Sequence, residues 1–208
     1  MKKTIFILIV LFFTLTLQAL VDMNDIVPAF TGEAQGQIEG AVIEGAIHFL
    51  QAKSHSDLLL MEYEKSANQP FNFSAALDHA EKAIGELEKS IEEYEKSVSL
   101  GKQAGYVDEI LQKFKNFNYD GFSADKRLNN DVMVLVKSYF SAGNILGAYQ
   151  QNVDHIGEIL ITMEQIKEKL KINQLADITL FWQLVQRFSK AALFGNYCTI
   201  TAATIFTQ

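Results

Sequence analysis

Four stretches of this chain repeat apolar residues at alternating intervals of three and four, and that spacing admits little besides long helices packed along their length. The strictest runs through Leu77, Ala80, Ile84, Leu87, Ile91, Tyr94 and Val98, with Glu and Lys filling the positions between. Another passes through Val132, Leu135, Tyr139, Ala142, Leu146, Tyr149, Val153, Ile156, Leu160 and Met163. It predicts one unbroken helix of roughly 40 residues, about 60 Å long. The first seam holds Ile38, Val42, Gly45, Phe49, Ala52, Ser56, Leu59 and Tyr63. The last holds Phe181, Leu184, Phe188, Ala191, Gly195, Cys198, Ala202 and Ile205, with Ile178, Trp182, Val185 and Ala192 beside it, so this helix is expected to be the most enclosed.

Helices are therefore expected over 34–67, 74–114, 126–170 and 174–206. The segments between them, Asn68 to Ser74, Asn116 to Lys126 and Lys171 to Asn173, carry turn residues such as Pro70 and Gly121 and the cap candidates Ser74 and Ser123. Short connections between long amphipathic helices imply antiparallel neighbours. The expected fold is all-α, an up-down-up-down antiparallel four-helix bundle with long coiled-coil-like helices, formed as one domain over 34–208. A tetratricopeptide solenoid is excluded because no period of roughly 34 residues recurs.

Ahead of the seams, Lys2 and Lys3 precede an uncharged apolar run from Ile5 to Leu17 and then Gln18, Ala19 and Leu20. This reads as a secretory signal peptide over 1–19, cleaved after Ala19, followed by an extended segment over 20–33. The run is shorter than the ~20 residues a bilayer requires, so no membrane span is expected after cleavage. No cysteine lies near the cleavage region to accept a lipid. The expected location is exported, periplasmic or secreted.

The net charge of -7 argues against nucleic acid, because nothing resembles a basic stripe able to neutralise phosphates. Cys198 is the only cysteine, so no intramolecular disulfide can form and stability must come from packing.

The four histidines raise a metal reading, with Glu44 and His48 four apart and His155 and Glu158 three apart. Against it, His48 and His55 are seven residues apart, about 10.5 Å along a helix. His79 and His155 each precede a seam residue and are expected to be exposed. The Glu-x-x-His pair of di-iron bundles is missing, and a c-type haem needs two cysteines. Neither a metal site nor a cofactor is expected. Cys198, in an apolar seam with no histidine within a turn, reads as a buried and inert thiol. The Glu-rich stretch from Glu81 to Lys96 is ordinary solvated helix surface, and the aromatics Phe117, Tyr119 and Phe122 read as a plug on one end of the bundle in preference to a contact patch.

Glycine is the remaining puzzle. Each interior glycine costs about 1 kcal/mol against alanine, yet GQIEGAVIEGAIHFL carries Gly36, Gly40 and Gly45 within one helix. In antiparallel helices, residues at equal height have numbers that add to a constant. On that rule Gly36 and Gly40 come level with Gly101 and Gly105, Gly101 with Gly143, and Gly147 with Tyr197 and Cys198. The second seam also changes phase there, leaving Val98 and resuming as Leu100, Ala104, Val107, Leu111 and Phe114. Such a level is a close approach of backbones with a local bend, a pocket between facing helices, or, for glycines off the strict seams such as Gly36 and Gly40 on the flank of their helix, a solvent-facing stretch that does neither and adds flexibility near the bundle end. In the second case the candidate ligand-binding residues are Gly36, Gly40, Gly101, Gly105, Tyr139, Gly143, Gly147, Tyr197 and Cys198, and no catalytic residue is expected.

No enzyme motif is present. The function expected is that of an exported, non-enzymatic helical bundle binding a partner protein or a small apolar ligand in the cell envelope. The alternatives are a metal- or haem-binding redox or storage bundle and a structural subunit that self-associates as a homo-oligomer.

Overall fold

A computed structural model describes residues 28–30 and 34–207. The expected signal peptide over 1–19, and the 20–33 segment apart from 28–30, lie outside the described residues. Within them the chain forms seven helices and no strand: α1 (Ala34–Lys65), α2 (Phe73–Ala104), α3 (Asp108–Asn116), α4 (Tyr119–Lys126), α5 (Asn130–Phe140), α6 (Ile145–Lys171) and α7 (Ile178–Thr207). The all-helical class follows the apolar spacing. The expected count of four helices does not hold, and each departure has a local cause.

The stretch expected as one helix over 74–114 divides at Gly105, whose φ of 71° takes the backbone out of the helical region. Tyr106 then pairs with Phe30 in an isolated antiparallel bridge, and the Val107 N–H donates to the Ala29 carbonyl at 2.9 Å. The phase change between Val98 and Leu100 marks this break in the sequence. The stretch expected over 126–170 divides at Gly143, φ 69°, where the Asn144 side chain accepts from the Gly147 N–H at 2.9 Å and opens α6. Part of the expected loop from Asn116 to Lys126 is itself a helix, α4, opened by Asn118 accepting from the Gly121 N–H at 3.0 Å.

These last two starts share a device, an Asn cap followed three residues on by Gly. A Cβ at Gly121 would lie 2.5 Å from the Asn118 carboxamide, and one at Gly147 would overlap that of Asn144. Glycine at the third position thus makes room for the cap. Asn72 and Asn129 cap α2 and α5, while the expected caps Ser74 and Ser123 lie inside helices.

Residue pairs fix how the long helices lie. Between α1 and α2, the Ser90 hydroxyl donates to the Gly45 carbonyl at 2.8 Å, and the His55 and His79 rings face each other. Between α2 and α6, Gly101 lies against Leu146 and Tyr94 against Asn152. Between α6 and α7, Arg187 donates to the Glu158 carbonyl at 2.7 Å and Phe194 meets His155. In each case numbers rise along one helix as they fall along the other. The α1 and α2 pairing is the most extensive, and buried Ala52, Ala76, Ala80 and Ala83 are small enough to permit it. The contact of α1 with α7 is made by large rings, Phe49 on Phe188 and Tyr63 on Phe181.

Candidate functional site

The level of small residues resolves into two environments. Gly101 is buried, and a Cβ there would meet Leu146 and lie 3.0 Å from the Phe30 ring. A Cβ at Gly143 would run into Leu111 and Lys115 of α3, and one at Gly147 would lie 2.7 Å from the Tyr139 ring. Tyr139 packs on Phe194 of α7 with ring centroids 6.4 Å apart, and Cys198 is buried one helical turn further along α7. The Tyr197 hydroxyl accepts from the Asn129 N–H at 2.9 Å and ties the start of α5 to α7. Gly36, Gly40 and Gly105 are exposed with nothing within 4 Å of a Cβ. The pairs Gly45–Ser90 and His48–Glu86 set the register of α1 on α2 about five residues from the expected one, so Gly36 and Gly40 stand below Gly101 and Gly105 as well as on the outer face of α1.

A polar chain starts at Tyr139. The Tyr139 hydroxyl donates to Gln151 Oε1 at 2.8 Å, and Gln151 Nε2 lies 3.5 Å from His155 Nδ1. With Gln151 Oε1 committed to the tyrosine, its NH₂ donates, which assigns the proton of a neutral His155 to Nε2. His155 was expected to be exposed, and it is 2% exposed with Nε2 buried and unpartnered. The correction has a simple cause: α7 covers that flank of α6, and Phe194 sets its ring edge-on to the imidazole at 5.4 Å. Burial, reinforced by the Lys190 charge, pushes the His155 pKa down to about 4. His79 is half-buried, again not exposed as expected.

These groups are not arranged for nucleophilic or metal chemistry. Cys198 is fully buried, and burial holds its thiol in the protonated form. His48 reaches Glu86 of α2 at 2.6 Å, away from the Glu44 suggested by spacing. Glu158 turns its carboxylate to Lys190 at 3.3 Å, away from His155. His55 and His79 have ring centroids 6.4 Å apart with Asp78 3.9 Å from His79 Nδ1, but no group of three or more His, Cys, Asp or Glu among the described residues could hold a metal ion.

Sequence reasoning missed an exposed apolar line along α1. Gly36, Gly40, Ile43, Ile47, Leu50, Ser54, Leu58 and Met61 are all exposed and form one line along α1. Their mean spacing is close to the 3.6 residues of a helical turn, and the line is about 38 Å long. Ile47 and Met61 are 41% and 47% exposed. The signal was present, since α1 carries this second apolar stripe opposite the seam used against α2 and α7. On the flank towards α7, Lys53 donates to both carboxylate oxygens of Asp57 at 2.5 Å, and the pair is buried. Burial lowers the lysine pKa and raises that of the aspartate, each opposed by its partner.

The aromatics of the loop turn inward, with Tyr119 and Phe122 buried. Phe117 packs on Tyr119 and Phe122 at 5.0 and 5.5 Å, and the buried Tyr119 donates to the Phe114 carbonyl. No helix among the described residues is long and apolar enough to cross a membrane. Comparison with protein-family models, with curated proteins and with solved structures finds no match for the chain.

Proposed function

We propose that this is an exported, non-catalytic helical protein that acts by binding a partner helix along the outer stripe of α1. In this reading α1, α2, α6 and α7 form an up-down-up-down bundle, and α3 to α5 elaborate its long crossover. The observation that carries the proposal is the exposed line from Gly36 to Met61. An ordinary surface helix keeps one polar face, whereas five large aliphatic side chains in register on an outer face leave that line available to a partner. Gly36, Gly40 and Ser54 are the points where another backbone could come close. The flanking Glu39, Glu44, Glu62 and Glu64 favour a partner helix with aliphatic residues at heptad spacing and lysine or arginine beside them. The apolar run preceding the described residues supports export.

A second copy is a specific form of this reading. Two α1 stripes laid antiparallel about the midpoint of Leu50 and Gln51 would set Gly40 against Met61, Ile43 against Leu58 and Ile47 against Ser54, so that two of the three pairings match large with small. The same register opposes Glu39 to Glu62, which Lys65 already pairs at 2.5 Å, while the exposed Glu39 and Glu44 of each copy still favour a distinct basic partner. The test is a double substitution, Ile47→Asp with Leu50→Asp, at exposed positions where the fold should tolerate it. Loss of a partner that co-purifies with the parent from its native compartment, with helicity and melting unchanged, is the expected result. Retention of the same partner by the variant would refute it. A concentration-dependent doubling of mass by light scattering, abolished in the variant, would identify the partner as a second copy.

A further inference from the structure

Between α4 and α5 lies an open cleft with a volume of about 610 Å³, within the range of small-molecule sites. Its floor is apolar, made by the buried Met133 and the half-buried Leu128, with the exposed Val134 on its rim. Two cations line it, and they differ in state. Lys137 is neutralised, its ammonium donating to both oxygens of Asp120 at 2.8 Å. Arg127 forms no ion pair among the described residues, although the chain as a whole carries a net charge of -7. It closes α4 in the left-handed conformation, φ 53° and ψ 43°, with its N–H directed to the Ala124 and Ser123 carbonyls. The backbone of this residue is thereby fixed, and the residue lines the cleft beside the apolar floor, exposed and without a carboxylate partner among the described residues.

From this arrangement we infer that the α4–α5 cleft binds a small amphiphilic carboxylate, its head group on Arg127 and its short alkyl chain over Met133, Leu128 and Val134. The guanidinium presents parallel N–H donors that match a planar carboxylate, and the neutralised Lys137 leaves one uncompensated positive charge for one negative charge on the ligand. This site is independent of the α1 stripe.

Octanoate is the probe and octanol its uncharged counterpart, followed on the full-length protein by amide chemical shifts and by calorimetry. Arg127→Gly is an informative variant because glycine suits a left-handed position, so the charge is removed without endangering the fold. Saturable octanoate binding is expected, with shifts at the amides of Ser123 and Ser138. Arg127→Gly should weaken it at least about tenfold, the worth of one charge-assisted hydrogen bond. Octanol should bind the parent and this variant alike. Shortening the chain from octanoate to hexanoate should weaken binding by about fourfold for each methylene buried, and Val134→Asp should abolish it by repulsion while leaving melting unchanged. Equal octanoate affinity in the parent and Arg127→Gly, shifts confined to other elements, or no saturation in the millimolar range would each overturn the proposal.

Discussion

Single residues decide the meaning of the glycines in the first helix. A methyl group added at Gly45 would lie 2.9 Å from the Tyr94 ring, which is buried with Asn152 against its hydroxyl, whereas Gly36 and Gly40 have nothing within 4 Å. Gly45→Ala is therefore expected to destabilise by about 1 to 3 kcal/mol through overpacking. Gly36→Ala and Gly40→Ala should each stabilise by up to about 1 kcal/mol, the helix propensity difference. Urea midpoints at constant slope distinguish these outcomes, and a stabilising Gly45→Ala would show that the Tyr94 ring moves aside freely. Adding residue numbers across a turn centred on Pro70 sets Gly40 opposite residue 100, whereas the pairs Gly45–Ser90 and His48–Glu86 set it near residue 95, because the turn is centred earlier than the proline. Nor could that rule place Gly36 and Gly40 on the outer face, since the sum carries no rotation about the axis. Read instead against Ile43, Ile47 and Leu50, their spacing assigns them to the outer stripe.

At the scale of elements, the periodic seams located the long helices and concealed their interruptions. Apolar spacing continues from Tyr139 through Ala142 to Leu146 as though the helix were unbroken, because the turn at Ser141 to Asn144 advances the chain while keeping the next apolar residue near the same side. The break is set by polar and backbone chemistry: a left-handed Gly143 and an Asn144 side chain on the Gly147 N–H. Asn144→Ala should cost about 1 kcal/mol through loss of the cap, and Gly143→Ala about 1 to 2 kcal/mol through left-handed strain. Thermal melts of the two single variants check both values, and neither loss would be expected if the helix ran straight through. The same Asn-x-x-Gly pattern at Asn118 and Gly121 stands in the sequence, but there Gly121 reads as a turn residue of a connecting loop, and the short helix it helps to open goes unseen. Arg127 left no comparable mark, because its role in the cleft depends on a left-handed residue and on α5 folding back beside α4.

For the molecule as a whole, the buried His155 makes stability depend on pH. Its pKa is pushed from an ordinary 6.5 down to about 4, with burial the main cause, the Lys190 charge adding to it, and Glu158 and Asp154 opposing. The unfolded chain takes up this proton near pH 6.5 and the folded chain only near pH 4. The stabilisation is therefore complete above about pH 6.5 and is lost as pH falls towards 4, by about 3 kcal/mol in all. His155→Gln, which stays neutral, should flatten that part of the curve in denaturation measured across pH 4 to 7; an unchanged slope would assign the dependence elsewhere. Another global property follows from α3, a helix of only nine residues. Phe30 meets Tyr106 just before it, and Phe206 meets Phe114 within it, so the first and last described parts of the chain are fastened about 12 Å apart along one short helix. Under mechanical load applied between residues 30 and 206, force would pass first through α3 and its two aromatic clasps. The long seams would then be peeled apart one turn at a time, without being sheared along their whole length.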